Sequence, residues 1–163
     1  MKWFPTLLCL VGLQVTAFSQ NAPLQSFDTF IGIWKAEGNW GDGSKFYQVT
    51  TFEYDLNGTL VLARAEGYTD QQQTTIGARN HGIRQYNPEE DKILFWEFDV
   101  FGGMTTGEVT FEGNNMFYSY AYGGSLLTDG WIKQADGSYE YIVGVRENGE
   151  WRQTYLRCPV IKQ

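Results

Sequence analysis

From residue 31 to residue 158, short apolar stretches rich in aromatic residues recur about every ten positions, and turn signals separate them. Ten strands are predicted on this rhythm, over 31–40, 44–56, 59–69, 76–86, 92–101, 104–112, 115–122, 126–135, 138–147 and 150–158. Connections this short favour antiparallel neighbours in up-and-down order. Aromatic strands left at a sheet edge would invite association, and closure removes the edge. The expected fold is therefore all-β, a closed up-and-down antiparallel β-barrel of about ten strands, with a two-sheet sandwich as the alternative. A short helix over 23–30 precedes the first strand as a plug or lid.

The N-terminus reads differently. Met1-Lys2 leads into an apolar run from Trp3 to Val15, followed by Thr16-Ala17-Phe18-Ser19 with small residues at the −3 and −1 positions. That is the pattern of a signal peptide over 1–19, with a mature domain over 20–163, and it places the protein in the periplasm or outside the cell. The run is too short to span a bilayer as a helix, so no membrane insertion is expected after cleavage. Cleavage removes Lys2 and no acid, taking the formal charge from −7 to −8, which argues against nucleic acid as a partner. Only Cys158 then remains, so no intrachain disulfide can form. About 144 residues suffice for one core.

Three connections, Asn57-Gly58, Asp136-Gly137 and Asn148-Gly149, suit two-residue type I′ turns, and such turns fix register. Around the first, one face collects Phe46, Phe52, Tyr54, Val61, Ala63, Ala65 and Gly67, and the other carries Glu53, Asp55, Arg64 and Glu66. Around the other two, Lys133, Glu140 and Arg157 form an outer charge ladder. Ile132, Tyr141, Val143, Val145, Thr154 and Leu156 then face inward, together with Arg152. Arg152 is either a rim residue bonded to Glu147 or a cation for a ligand's polar head. The loop 87–91 leaves more freedom. Pairing Tyr86 with Lys92 sets His81 against Glu97 and Arg79 against Asp99, and turns Leu94, Trp96, Phe98 and Val100 inward with Asn80 and Arg84 beside them. Val109, Phe111, Met116, Tyr118 and Tyr120 complete the lining, with Glu108 outside.

The one histidine, His81, and Glu97 are the weak candidate catalytic pair, an imidazole beside a carboxylate, but an external cross-strand ion pair is the favoured reading because the same face carries Arg79 and Asp99. No serine lies in a nucleophile-elbow context, and one histidine with one cysteine on different strands makes no metal site. No Walker or Rossmann glycine motif is present, and no cofactor is expected. Trp40, Trp131 and Trp151 are candidates for stacking on sugars, the last two on the outer face.

Phe30-Ile31-Gly32-Ile33-Trp34 resembles the Gly-x-Trp signature that opens the first strand of lipocalins and other calycin barrels. Leu56-Asn57-Gly58-Thr59-Leu60, Ile83-Arg84-Gln85-Tyr86-Asn87 and Lys92-Ile93-Leu94-Phe95-Trp96-Glu97-Phe98-Asp99 are similar to a bacterial family of exported lipocalin-like domains. The resemblance implies a central cavity for a small, largely apolar ligand, and a late arginine, Arg157, packed on Trp34. Haem-binding nitrobindin-like barrels are the cofactor alternative within this group. Their late axial histidine has no counterpart here, and haem on His81 would require His81 to face inward.

The leading expectation is an exported binding protein for a small apolar ligand, lined by Phe52, Tyr54, Trp96, Phe98, Tyr118, Tyr120 and Tyr141 and anchored by Arg152. An enzyme using the same cavity, with His81 or a carboxylate as base, is the second reading. A carbohydrate or surface-interaction module using exterior aromatics is the third.

Overall fold

The computed structural model describes residues 22–163. The signal-peptide expectation over 1–19 lies outside the described residues. Ten strands follow one another: β1 (Gly32–Asn39), β2 (Lys45–Asp55), β3 (Leu60–Tyr68), β4 (Ile76–Asn87), β5 (Lys92–Asp99), β6 (Met104–Glu112), β7 (Asn115–Tyr122), β8 (Ser125–Lys133), β9 (Tyr139–Glu147) and β10 (Glu150–Lys162). Each pairs antiparallel with the next, and β1 pairs with β10 to close the barrel. The predicted N-terminal helix is a single 3-10 segment, Ala22–Phe27.

Turn chemistry decides which residues face inward. Asn148 and Gly149 both have positive φ and join Glu147 to Glu150, as the two-residue reading requires. The Asn57-Gly58 connection is instead a four-residue loop, with Asp55 opposite Leu60, and keeps the expected register because the loop grows by one residue on each side. Inward Phe52 and Ala63 accordingly face each other, while Arg64 bonds Glu53 outside.

Two turns differ from expectation by one residue, and each flips a strand. At Asp136-Gly137 only the glycine has positive φ, and the Gln134 N–H bonds the Ser138 carbonyl across a three-residue loop. Lys133 therefore faces Tyr139, and Glu140 faces Ile132. Ile132 lies on the outer side, and Trp131, expected outside, is buried within the barrel. At the 88–91 loop Asn87, not Tyr86, pairs with Lys92. Ile93, Phe95 and Glu97 then face inward, and Leu94, Trp96 and Phe98 outward, against the expected lining.

Two bulges in β10 correct another placement. Register shifts fall between Trp151 and Gln153 and between Thr154 and Leu156, so Arg152 occupies the extra position of the first bulge. Its half-exposed side chain pairs with Glu150 at 2.8 Å and approaches Glu147 at 3.8 Å. Because the two shifts together restore parity, Leu156, Cys158 and Val160 still face the core, and Arg157 still bonds Glu140 at 2.7 Å. Gly144 lies opposite this irregular stretch, where a Cβ would stand 2.0 Å from the Gln153 carbonyl oxygen.

One end of the barrel is filled. The 3-10 segment and the residues after it drive Phe27 and Phe30 into that end, edge-on to Phe111 at 5.0 Å and to Trp131 at 6.1 Å between ring centroids. Trp34 packs edge-on to Trp131 and Tyr139, and its indole N–H donates to the Phe30 carbonyl at 2.6 Å. The cation over Trp34 is Lys162, at 5.1 Å from the ring centroid, rather than Arg157, which the Glu140 pairing holds on the outer surface.

The plug is core rather than a movable lid, since Phe27 has no exposed surface. Phe27→Ala is expected to lower unfolding free energy by about 3–5 kcal/mol, read from urea unfolding. A loss below about 1 kcal/mol would mean that the segment rests on the barrel without helping to hold it together.

Candidate functional site

Toward the other end the inward side chains do not fill the barrel. A cavity of about 850 Å³ runs from the Phe52–Trp131 layer to a mouth ringed by Trp40, Tyr68, Phe101, Tyr122 and Tyr155. Small residues on β3, Ala63 and Ala65, lie across from Phe52 and Thr50 and leave the space open. Polar groups interrupt the aromatic wall: Gln48, whose Nε2 donates to the Thr50 hydroxyl at 2.8 Å, and two sets that each hold a carboxylate.

The first set is built on β4 and β5. Arg84 is only 3% exposed, and its Nη2 pairs with Glu97 Oε2 at 2.7 Å. Asn80 Nδ2 donates to the other oxygen of Glu97 at 2.9 Å, and Arg84 Nε donates to the Tyr118 hydroxyl at 3.1 Å. The guanidinium also lies 5.0 Å from the ring centroid of Tyr118 and 5.7 Å from that of Phe95. Gly82 makes the placement possible, since a Cβ there would stand 2.6 Å from Arg84 Nη1 and 2.4 Å from the Trp96 carbonyl oxygen. Desolvation is the largest influence on Arg84 and disfavours its charge, but Tyr118 and Glu97 together outweigh it, so the guanidinium stays protonated. Its Nη1 is buried against Gly82 without a hydrogen-bond partner.

The second set centres on Asp129 of β8. Tyr120 donates to its Oδ1 at 2.8 Å, and Tyr141 donates to its Oδ2 at 2.6 Å. Tyr141 is fixed in turn by Phe46, stacked at 5.7 Å, and by Trp131, edge-on at 5.7 Å. Burial pushes the Asp129 carboxyl up to about 6, against the two hydroxyls that favour its ionised form, and the negative charge of Glu97 adds to the rise. The surface that Asp129 retains is the part that lines the cavity. Among the described residues, no lysine, arginine or histidine forms an ion pair with it.

Of the residues singled out from sequence, Phe52, Tyr118, Tyr120, Tyr141 and Glu97 line this cavity. Arg152, Trp96 and Phe98 do not. Tyr54 sits at the plug, where its hydroxyl donates to Asp28 at 2.7 Å and lies 2.9 Å from the Leu24 carbonyl oxygen. His81 is exposed on the outer face opposite Arg64 and Phe98, so it and Glu97 lie on opposite sides of the wall. A haem ligand or internal base at His81 would require the inward orientation that this register excludes. Asp129 was missed from sequence. Its signal is the inner-face triplet Leu127, Asp129 and Trp131, once the bulky tryptophan is allowed to set the face.

Cys158 is buried, and burial pushes its thiol up to about 11, which suits a packing residue rather than a nucleophile. Among the described residues, no group of three or more His, Cys, Asp or Glu side chains could hold a metal ion. No family model matches the chain, and a search of curated proteins found no match.

The raised Asp129 carboxyl has a consequence for stability. Its folded value exceeds the ordinary one, so between about pH 4 and pH 6 the folded state binds more protons than the unfolded state, and stability falls as pH rises through that window. The fall attributable to this group is about 2–3 kcal/mol and levels off above about pH 7. Urea unfolding across that range should show Asp129→Asn losing this component. An unchanged pH profile would place the Asp129 carboxyl near its unfolded value.

Proposed function

We propose that the barrel is a binding protein that holds a small, largely apolar molecule in its cavity, and that it acts after export to the periplasm or the cell exterior. The observation that carries this reading is the cavity, about 850 Å³, walled by aromatic rings, closed at one end by a packed plug and reached from the other. That volume falls within the range of small-molecule sites, and the wall sets polar groups among its aromatic rings. The Gly32-Ile33-Trp34 opening, which resembles the entrance of lipocalin-like barrels, supports the same reading. Export rests on the leader-like pattern of residues 1–19.

An enzymatic use of the cavity has one observation in its favour, the Asp129 carboxyl at about 6, close to where a general acid or base works best. Turnover that survives Asp129→Asn would remove that version. Use of the outer face as an aromatic platform loses Trp131, which is inside, and Trp151, which half-buries its ring over Gly130.

Native mass spectrometry of gently purified protein, before and after denaturation and organic extraction, is expected to show a discrete extra mass that extraction removes. Ala65→Trp, which fills the cavity, should abolish uptake of an apolar fluorescent probe. Arg152→Met, outside the cavity, should leave uptake unchanged. Probe binding that ignores Ala65→Trp would move the site out of the barrel.

A further inference from the structure

The cavity wall carries three cations, Lys45, Arg79 and Arg84, and three carboxylates, Asp70, Glu97 and Asp129, but its deep part, with Arg84, Glu97 and Asp129, has one carboxylate in excess. Arg84 and Glu97 neutralise each other at 2.7 Å. The two other cations on the cavity wall belong to its rim: Lys45 is exposed, and Arg79 donates to the Tyr68 carbonyl and lies 4.5 Å from the ring centroid of Phe101. Asp129 is left as the one carboxylate of the interior wall without a cation among the described residues. A buried, unpaired carboxylate is costly, and it either takes up a proton or waits for a positive charge.

We propose, on the binding reading above, that the cavity takes an organic ammonium ion, with its charged nitrogen against the Asp129 carboxylate and its apolar body among the surrounding rings. Three further observations support a cation. The two tyrosine hydroxyls donate to one Asp129 oxygen each and hold the group as an acceptor, with capacity left for N–H donors. The walls nearby are the rings of Tyr120, Tyr141, Phe46 and Trp131, whose faces attract cations. The chain's formal charge of −7 draws cations toward the molecule as a whole.

An anionic head fits poorly. Among the described residues, Arg84 is the only arginine deep in the wall; its Nη2 and Nε are already engaged, and its Nη1 is packed against Gly82 without accessible surface. A ligand carboxylate would have to displace Glu97 and then share the cavity with Asp129. Each step opposes binding.

The test is a matched trio on one skeleton: 2-(2-naphthyl)ethylammonium, 2-ethylnaphthalene and 3-(2-naphthyl)propanoate, each titrated calorimetrically into the purified protein at about pH 7.5. The ammonium is expected to bind at least about tenfold more tightly than the hydrocarbon, and the propanoate more weakly than either. Asp129→Asn should bring the ammonium down to the level of the hydrocarbon and leave the hydrocarbon within about twofold of its original affinity.

Should that variant not fold, lowering the pH to about 5 serves in its place. It should weaken the ammonium and spare the hydrocarbon, as Asp129 takes up a proton in the company of Glu97, Arg84, Tyr118, Tyr120 and Tyr141. An ammonium that binds no better than the hydrocarbon, with both binding, overturns the cation and leaves the binding reading standing. Failure of all three to bind overturns both.

Discussion

A ten-stranded closed sheet encloses more volume than one inward side chain per alternate residue readily fills, and the two ends of this barrel meet that constraint differently. At one end Phe27 and Phe30 enter from outside the sheet and complete an aromatic layer with Trp34, Phe111, Trp131 and Tyr139. At the other end β3 contributes Ala63, Ala65 and Gly67, and nothing in the described chain replaces the missing bulk. The cavity and the plug are thus two consequences of one geometry. The plug removes solvent from one end, and the small residues of β3 keep room at the other.

Burial behind the mouth explains why most of the polar groups there are hydrogen-bonded to one another. In a low dielectric each donor and acceptor gains strength when paired and is costly when left alone. Glu97 accordingly receives Arg84 and Asn80, one on each oxygen, and Asp129 receives Tyr120 and Tyr141 in the same manner. The sets differ in charge: the first contains its own counter-ion, and the second contains only neutral donors. Tyr118 and Glu97 therefore keep Arg84 charged against its burial, whereas burial raises the carboxyl of Asp129.

The strands and their order were legible because the rhythm of apolar stretches and turns persists through the whole barrel. Faces were legible where one side of a strand is plainly polar, as in β3, whose Arg64 and Glu66 alternate with Ala63, Ala65 and Gly67. In β5 both faces are apolar, with Ile93 and Phe95 on one and Leu94, Trp96 and Phe98 on the other, so alternation carries no information. Register there rested on a loop of uncertain length and on matching opposite charges, and the match of His81 with Glu97 misled, because Glu97 is satisfied by Arg84 inside the barrel. In β8 an Asp-Gly dipeptide stood in a three-residue loop instead of a two-residue turn. A one-residue error flips a whole strand, and these two flips turned outward the two carboxylates, Glu97 and Asp129, that define the polar wall.

The mouth is held by bonds that are local and were partly visible in composition. Asp70 accepts from the backbone N–H groups of Thr74 and Thr75, and Asp99 accepts from those of Phe101 and Gly103, so each carboxylate ties its own loop. Gln73 bonds both the N–H and the carbonyl of Lys45 and fastens the β3–β4 loop to the start of β2. Loops tied in this way lose little further freedom when a molecule enters. Their stiffness and the fixed aromatic plug make the cavity a preformed space, and on the binding reading proposed above the discrimination between ligands falls to the charges on its wall.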